Sequence, residues 1–354
     1  MTLHQDERGN GKPDRTPVRL SEIAAHAGVS EATVSRVLND RPGVAPPTRQ
    51  AVLAALDILG VDRAARNRPR TAGLVGLITP ELDDPIIPSY AQVIERLLAL
   101  HGYTPVLCTK MPGGAIEDDF VALLTEHGAD GIVFVSGQHG ELAVSPERYV
   151  KLIERGVPAV FINGYLEGVP APFFSVDDRN AMGLVVRHLV SLGHTRLGLA
   201  DGPARLSRVA RKVDGFLAGV AAAGGTVHGA VSHSISSFEG GQAAGELLLD
   251  QDCTAIACGN DMMALGVIRS ARARGLRVPD DIAVVGFDDS PLIAYTDPPL
   301  TTVRQPVSSL ASVAVSALVE MIAGWPSPPG EFLFLPELVV RGSTGSLAGQ
   351  TIEI

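Results

Sequence analysis

The sequence predicts a multidomain protein of the α plus α/β class, with a three-helix helix-turn-helix headpiece before two doubly wound parallel α/β subdomains. The chain has 354 residues, more than one core usually organises. Short amphipathic stretches separated by Gly28 and by a proline-rich loop lie between Val18 and Gly60. From Leu74 onward, short apolar runs alternate with longer amphipathic stretches, which indicates parallel sheets with helical crossovers.

Composition excludes several classes of protein. With 45% hydrophobic and 19% charged residues, the chain is typical of an ordinary globular protein. No apolar run is long enough to cross a bilayer, and the polar N-terminus lacks the core of a secretory signal, so we expect a cytoplasmic protein without a membrane partner. Three cysteines without zinc spacing are expected to be reduced core thiols, and no metal or cofactor is expected. Walker, GxGxxG and GxSxG motifs are absent from the sequence, which argues against an enzyme.

The charge is unevenly distributed. The formal net charge is -10, yet residues 1–70 carry 11 Lys and Arg against 8 Asp and Glu. The remaining residues carry 18 Lys and Arg against 31 Asp and Glu. A basic front end on an acidic body suggests that only the front end binds a polyanion.

Residues 1–17 have no periodicity and are predicted to be a disordered tail, so the headpiece is assigned to residues 18–60. Gly28 interrupts the first amphipathic stretch, and Ser30 is placed to cap a second helix. A third helix is expected to open at Pro47 or Thr48 after a proline-rich loop. The apolar positions at helical spacing are Leu20, Ile23, Ala24 and Ala27, then Val34, Val37 and Leu38, then Val52, Leu53, Leu56 and Leu59.

The second helix has a polar face that could enter a major groove. It consists of Glu31, Ala32, Ser35, Arg36 and Asn39, and arginine or asparagine can bond to bases or phosphates. A solvated amphipathic helix is the alternative on periodicity alone. Glu31 could accept from cytosine N4 or could stabilise the helix N-terminus through the dipole, and both interpretations stay open.

Residues 61–73 form an arginine-rich segment with little to bury. The segment contains one acid, Asp62, and four arginines, Arg63, Arg66, Arg68 and Arg70. We expect a hinge or linker that orders only on contact.

The core is assigned to residues 74–345. Its predicted strands are 74–78, 104–108, 131–135, 159–162, 196–200, 254–258 and 282–287. Ligands of open parallel sheets bind outside the carboxyl ends of the strands, so the second site is expected between the two subdomains. Asp288 and Asp289 follow the last strand, and either could cap a helix beginning at Pro291; we expect Asp289 to be the cap.

Several long stretches carry a resemblance to a known family. They are VRLSEIAAHAGVSEATVSRVLNDRPGV, VDDRNAMGLVVRHLVSLGHTRLGL, CGNDMMALGVIRSARARGLRVPDDIAVVGFDDSPLIAYTDPPLTTVRQP and PELVVRGST. Together they resemble the LacI/GalR family of bacterial transcription regulators. Within it, TAGLVGLITPELDDPI and the segment from DMMALG to LTTVR are most similar to the actinomycete maltose-operon repressors.

The resemblance implies a homodimer that binds a pseudo-palindromic operator in double-stranded DNA. Glu31, Ala32 and Arg36 would read the major groove, and the hinge would enter the minor groove. The sequence departs from the family there, since the segment is about three residues shorter and Arg68 takes the place of a wedging leucine. The full set implied to contact DNA is Leu20, Ser30, Glu31, Ala32, Thr33, Ser35, Arg36, Asn39, Thr48, Arg63, Arg66 and Arg68.

The resemblance also implies two subdomains of the periplasmic-binding-protein type, at about 74–175 plus 303–330 and about 176–302 plus 331–345. A small-molecule sugar effector of the maltose or maltodextrin type would bind between them and relieve repression. The implied contact residues are Pro85, Ile86, Ile87, Val135, Ser136, Asn163, Lys212, Asn260 and Asp288. The rival interpretation is a sugar receptor without DNA function, because the residues after Leu74 also resemble periplasmic sugar receptors.

Overall fold

The structure is a computed structural model that describes residues 20–38, 44–59, 73–111 and 113–346. The chain divides into two compact units, with the boundary between Thr71 and Ala72. The predicted tail at 1–17 and most of the predicted hinge, up to residue 72, lie outside the described residues.

The first unit contains three helices, α1 (Leu20–Ala27), α2 (Glu31–Leu38) and α3 (Pro46–Ile58). Gly28 has φ +63°, a left-handed conformation that suits glycine, and so makes the tight turn between α1 and α2. Ser30 Oγ accepts from the Thr33 backbone N–H at 3.2 Å, so the predicted cap of the second helix is confirmed. A small apolar core holds the three helices together; its fully buried members include Ile23, Val34, Val37, Val52 and Leu56.

The second unit alternates strands and helices, as predicted. Its first part contains β1 (Gly73–Thr79), α4 (Ile86–Leu100), β2 (Tyr103–Thr109), α5 (Glu117–Glu126), β3 (Gly131–Val135), α6 (Glu147–Glu154), β4 (Ala159–Ile162) and β5 (Pro172–Val176). The chain continues through α7 (Asp178–Ser191), β6 (Arg196–Asp201), α8 (Ser207–Ala223), β7 (His228–His233), α9 (Phe238–Leu249), β8 (Ala255–Cys258) and α10 (Asp261–Ala273). It ends with β9 (Ala283–Asp288), β10 (Thr301–Arg304), α11 (Val307–Ile322), β11 (Gly330–Phe334) and β12 (Glu337–Val339).

The strands form two six-stranded sheets. The first has the order β11-β5-β4-β3-β1-β2 and the second β12-β10-β9-β8-β6-β7. Every adjacent pair is parallel except β10 with β12. Parallel strands with helices between them bury both faces, which explains why strands such as β3 and β4 are apolar and buried throughout.

The chain passes between the two sheets three times. It crosses at Asp177, again at Gln305 and Pro306, and a third time at Leu335 and Pro336. The backbone N–H of Asp177, in the first crossing, donates at 2.9 Å to the carbonyl of Phe334, the last residue of β11 before the third crossing. Three short crossings hold the two subdomains together at one edge of each sheet.

The third crossing lies later than the sequence analysis placed it. Residues from 331 onward were assigned to the second subdomain, whereas β11 pairs in parallel with β5 in the first sheet. Phe332 stacks on Phe174 with ring centroids 5.4 Å apart, which stabilises this pairing. The second boundary is also shifted, because β10 keeps Val303 and Arg304 in the second sheet.

Candidate functional site

The exposed face of α2 carries the residues that were predicted to read DNA. Val34 and Val37 are fully buried in the headpiece core, and Glu31, Ala32 and Arg36 are exposed. Ser35 and Thr48 are partly exposed, and Leu20 begins α1. An exposed polar face on the second helix of a helix-turn-helix has the geometry needed to enter a major groove. The structure does not describe Asn39, Arg63, Arg66 or Arg68.

The second group of predicted residues lies at the carboxyl ends of the strands in both sheets. Ser136 follows β3, Asn163 follows β4, and Asn260 follows β8, while Asp288 ends β9. Three of them have positive φ: Ser136 at 49°, Asn163 at 60° and Asp288 at 118°. This conformation is strained in a residue other than glycine and persists only where the surrounding structure enforces it.

Gln305, at the second crossing, joins residues of the two subdomains. Its Nε2 donates to Asp288 Oδ1 at 2.5 Å. Its Oε1 accepts from the Tyr90 hydroxyl at 2.8 Å and lies 3.4 Å from Asn163 Nδ2. Asp288 is therefore linked through one amide to two side chains of the first subdomain.

Asn260 has a double role. Its Oδ1 accepts from the Met263 backbone N–H at 2.8 Å and so caps α10. Its Nδ2 donates to Asp84 Oδ2 at 2.9 Å, which bonds the second subdomain to the loop after β1. The side chain was assigned to ligand binding, and the structure gives it a helix cap and a contact across the cleft.

Lys212 is a buried cation among buried acids. Its Nζ donates to the Gly259 carbonyl at 2.6 Å and lies 3.8 Å from the centroid of the Phe287 ring. The side chain is 3% exposed, and the ammonium stabilises the charged forms of Asp178, Asp201 and Asp288.

Burial raises the pKa values of these carboxyls. It raises the pKa of Asp178 to about 6, against the opposing effect of Lys212. The pKa of Asp288 is held well above its usual range by burial first, and then by the charges of Asp84 and Asp261. Lys212 and the hydrogen bond from Gln305 act in the opposite direction. A cluster that favours neutral carboxyls can exchange hydrogen bonds with a polar uncharged ligand.

The remaining residues that were predicted to contact the effector include both buried core residues and partly exposed ones. Ile86, Ile87 and Val135 are buried members of the main hydrophobic core, while Pro85 is partly exposed beside Asp84. Ser136 Oγ is buried and has no hydrogen-bond partner among the described residues.

Asp289 does not cap a helix, and that assignment is wrong. Its carboxylate pairs with Arg304 Nε at 2.7 Å and with Arg341 at 2.6 Å. Residues 291 and 292 form a turn, and the short 3₁₀ helix Ile293–Tyr295 begins only after Leu292. Two arginines distant in sequence outweigh the local capping signal, because charge-assisted hydrogen bonds are the stronger interaction.

Sequence reasoning missed Asp84, Tyr90, Asp178 and Gln305. Tyr90 and Gln305 are 215 positions apart, so no local pattern signals their contact. Asp178 opens α7 directly after the first crossing, and the sign of its role is its burial, which only the structure shows.

Several absences hold for the part of the chain that the structure describes. No group of three or more His, Cys, Asp or Glu there could hold a metal ion. No described helix is both long and apolar enough to cross a membrane. Cys108, Cys253 and Cys258 are buried and free, which confirms their prediction as reduced core thiols.

One family model matches in each unit. Residues 19–60 match the bacterial regulatory proteins of the lacI family, and residues 186–344 match a periplasmic binding protein-like domain. The HTH-type transcriptional regulator MalR of Streptomyces coelicolor is 57% identical over 337 residues, covering 94% of this chain and 98% of the relative. The HTH-type transcriptional regulator reg1 of Streptomyces lividans is 57% identical over 338 residues, with the same coverage of 94% and 98%.

Solved structures show the same architecture. The transcriptional regulator CelR in complex with cellobiose has a TM-score of 0.68 and 29% identity, covering 92% of this chain and 99% of that chain. The Lac repressor dimer bound to operator and the anti-inducer ONPF has a TM-score of 0.67 and 26% identity, covering 94% of this chain and 100% of that chain.

Proposed function

Because the chain belongs to the lacI family and is a DNA-binding transcriptional regulator rather than an enzyme, we propose that it represses sugar-utilisation genes as a homodimer. The effector is a sugar of the maltose or maltodextrin type that binds between the two core subdomains and relieves repression. The likeness to MalR and to a regulator bound to cellobiose supports this choice of ligand. The likeness to a Lac repressor dimer supports the homodimer.

The headpiece supplies the DNA contacts. Glu31, Ala32 and Arg36 read base edges, because they are exposed on α2. Ser30, Thr33, Ser35 and Thr48 hold phosphates, and Leu20, the first residue of α1, belongs to the same contact set. We extend this assignment from the sequence to Asn39 and to the hinge arginines Arg63, Arg66 and Arg68.

One observation carries the effector site: the hydrogen-bonded chain from Asp288 through Gln305 to Tyr90 and Asn163, at the junction of the subdomains. Sugar hydroxyls both donate and accept, so a sugar can replace several of these bonds at once. Lys212 and Asn260 complete the polar set on the second subdomain, and Pro85, Ile86, Ile87, Val135 and Ser136 belong to the first. A ligand bound to both subdomains favours one relative orientation only to the extent that it binds that orientation better.

The test is a gel-shift assay with DNA from upstream of the protein's own gene, repeated with glucose, maltose and maltotriose. We expect a shift that a maltodextrin abolishes. In Asp288→Asn the shift persists at sugar concentrations that release the wild type, and in Asp297→Asn, whose side chain is 99% exposed, the response is that of the wild type. A shift that no sugar changes contradicts the proposed effector, and no shift under any condition contradicts the proposed operator.

A further inference from the structure

A small cavity of mixed polar and apolar lining lies beside the proposed effector site, and of the predicted effector residues Ser136 alone lines it. Its volume is about 70 Å³. At roughly 10–15 Å³ per water by this measure, it has space for about five to seven water-sized groups. The polar lining includes Lys110, Ser136, Gln138 and Glu141, and the apolar lining includes Phe120 and Leu206.

The cavity adjoins the effector site through Ser136. The Ser136 backbone N–H donates to the Ile162 carbonyl at 2.8 Å, directly before Asn163 in the neighbouring strand. The Ser136 hydroxyl is buried without a partner among the described residues. A buried unpaired hydroxyl costs about 1–3 kcal/mol, which a ligand hydroxyl would recover.

The other lining groups favour an uncharged polyol. Both carboxylate oxygens of Glu117 are already used, one by the Tyr149 hydroxyl and one by the Gln138 backbone N–H. Lys110 can donate, and Glu141 can accept because its nearest described cation, Arg205, is 3.9 Å away. A ligand that both donates and accepts suits this pair better than an ion of either sign, and Phe120 offers an apolar surface to the C–H face of a sugar ring.

Contacts between the subdomains close the cavity on one side. The Leu142 backbone N–H donates to the Arg205 carbonyl at 2.8 Å, and Glu141 forms an isolated bridge with Leu206. A ligand in the cavity therefore touches the segments 138–142 and 205–206 at the point where they meet.

We propose that this cavity is a second subsite, which takes the hydroxyl-bearing edge of a second pyranose ring while the first ring binds at Asp288 and Asn260. The inference rests on the proposed sugar-responsive function and makes it more specific. The effector is then a saccharide of at least two rings. A third ring has no further enclosed space in this cavity and adds little affinity.

The test is calorimetric titration of the full-length protein with glucose, maltose and maltotriose. We expect maltose to bind at least about tenfold more tightly than glucose, since one hydrogen bond to a charged group is worth that much, and maltotriose to bind about as tightly as maltose. Lys110→Met should weaken maltose binding about tenfold. Lys151→Met, which removes an exposed lysine of α6, is the matched control and should change it less than twofold.

Each outcome has a separate meaning. Equal affinities for glucose and maltose, or a Lys110→Met protein that binds maltose like the Lys151→Met control, overturn the second subsite and leave the sugar-responsive function standing. If none of the three sugars binds, the proposed effector class is wrong and the subsite falls with it. Glu141→Gln is a second variant, which keeps the side-chain volume and removes the charged acceptor. A retained operator shift shows that each variant is folded. If glucose gives no measurable heat, the maltose constants of the wild type and the variants decide alone.

Discussion

Replacing Lys212 with methionine tests how the buried acids of the cleft are held. Methionine keeps an unbranched chain of similar length and removes the ammonium group. In the wild type that ammonium opposes the raised pKa values of Asp178, Asp201 and Asp288, which are all at least nine-tenths buried. The substitution therefore leaves several buried carboxyls without their common cation.

The size of the effect depends on pH. The Lys212 Nζ donates to the Gly259 carbonyl and acts on the buried carboxyls through space, so its removal should cost less than the breaking of a direct buried ion pair; we expect a loss of about 2–3 kcal/mol in the free energy of unfolding at pH 8. At pH 5 the loss should be smaller, about 1–2 kcal/mol, because Asp178, with a pKa of about 6, is then mostly protonated.

The direction in which stability changes with pH follows from the number of protons that the folded and unfolded states bind. Each of these carboxyls has a raised pKa in the folded state, so between about pH 4 and that pKa the folded state binds more protons than the unfolded state. Stability from these groups is greatest at low pH and decreases as the pH rises through the folded pKa. Without Lys212 the folded pKa values rise further, so the variant loses more stability between pH 5 and pH 8 than the wild type.

Urea unfolding followed by circular dichroism at pH 5 and pH 8 measures both losses. Lys151→Met, an exposed change of the same kind, should match the wild type at both values. Two results would show that Lys212 does not stabilise the charged forms of the buried acids. One is a Lys212→Met protein as stable as the wild type at pH 8, and the other is an equal loss of stability at both pH values.

Two further predictions concern packing and DNA contact. A Cβ at Gly241 would lie 2.2 Å from the Met263 carbonyl oxygen in the adjacent helix α10, so Gly241→Ala should lower the free energy of unfolding by about 1–3 kcal/mol despite the better helix propensity of alanine. Gly225→Ala, whose Cβ would meet nothing within 4 Å, should be close to neutral in the same urea unfolding assay, and a more stable Gly241→Ala protein would contradict the close packing. Arg36→Ala should weaken operator binding about tenfold and Arg155→Ala, on the core unit, should not; equal affinities in fluorescence anisotropy would remove Arg36 from the DNA interface.

The strands that sequence reasoning found are those whose signal is local. The run at 131–135 is apolar throughout and matches β3 residue for residue. The strand β5 was missed because it begins with proline and contains serine, and β7 because it is polar and partly exposed at the sheet edge. These strands form through pairing with neighbours, which a single stretch of sequence does not display.

The residues of the candidate site also differ in whether a local sequence signal marks them. Asp288 and Asn260 could be singled out because each lies at or just after the end of an apolar run. Gln305 could not, because its role depends on a crossing between sheets that brings it to Asp288 and Tyr90 at once. The assignment of Asp289 failed for the same reason, since the two arginines that bind it come from later strands and loops.

The three crossings decide what kind of motion a ligand can produce. Each is only one or two residues long, so a translation of one sheet past the other would strain all three crossings at once. The remaining motion is a hinge-like bend of one sheet relative to the other about the edge where the crossings lie. A ligand that binds at Asp288 and Gln305 is therefore expected to change the angle between the two sheets. The resulting displacement is largest at the margin farthest from the crossings.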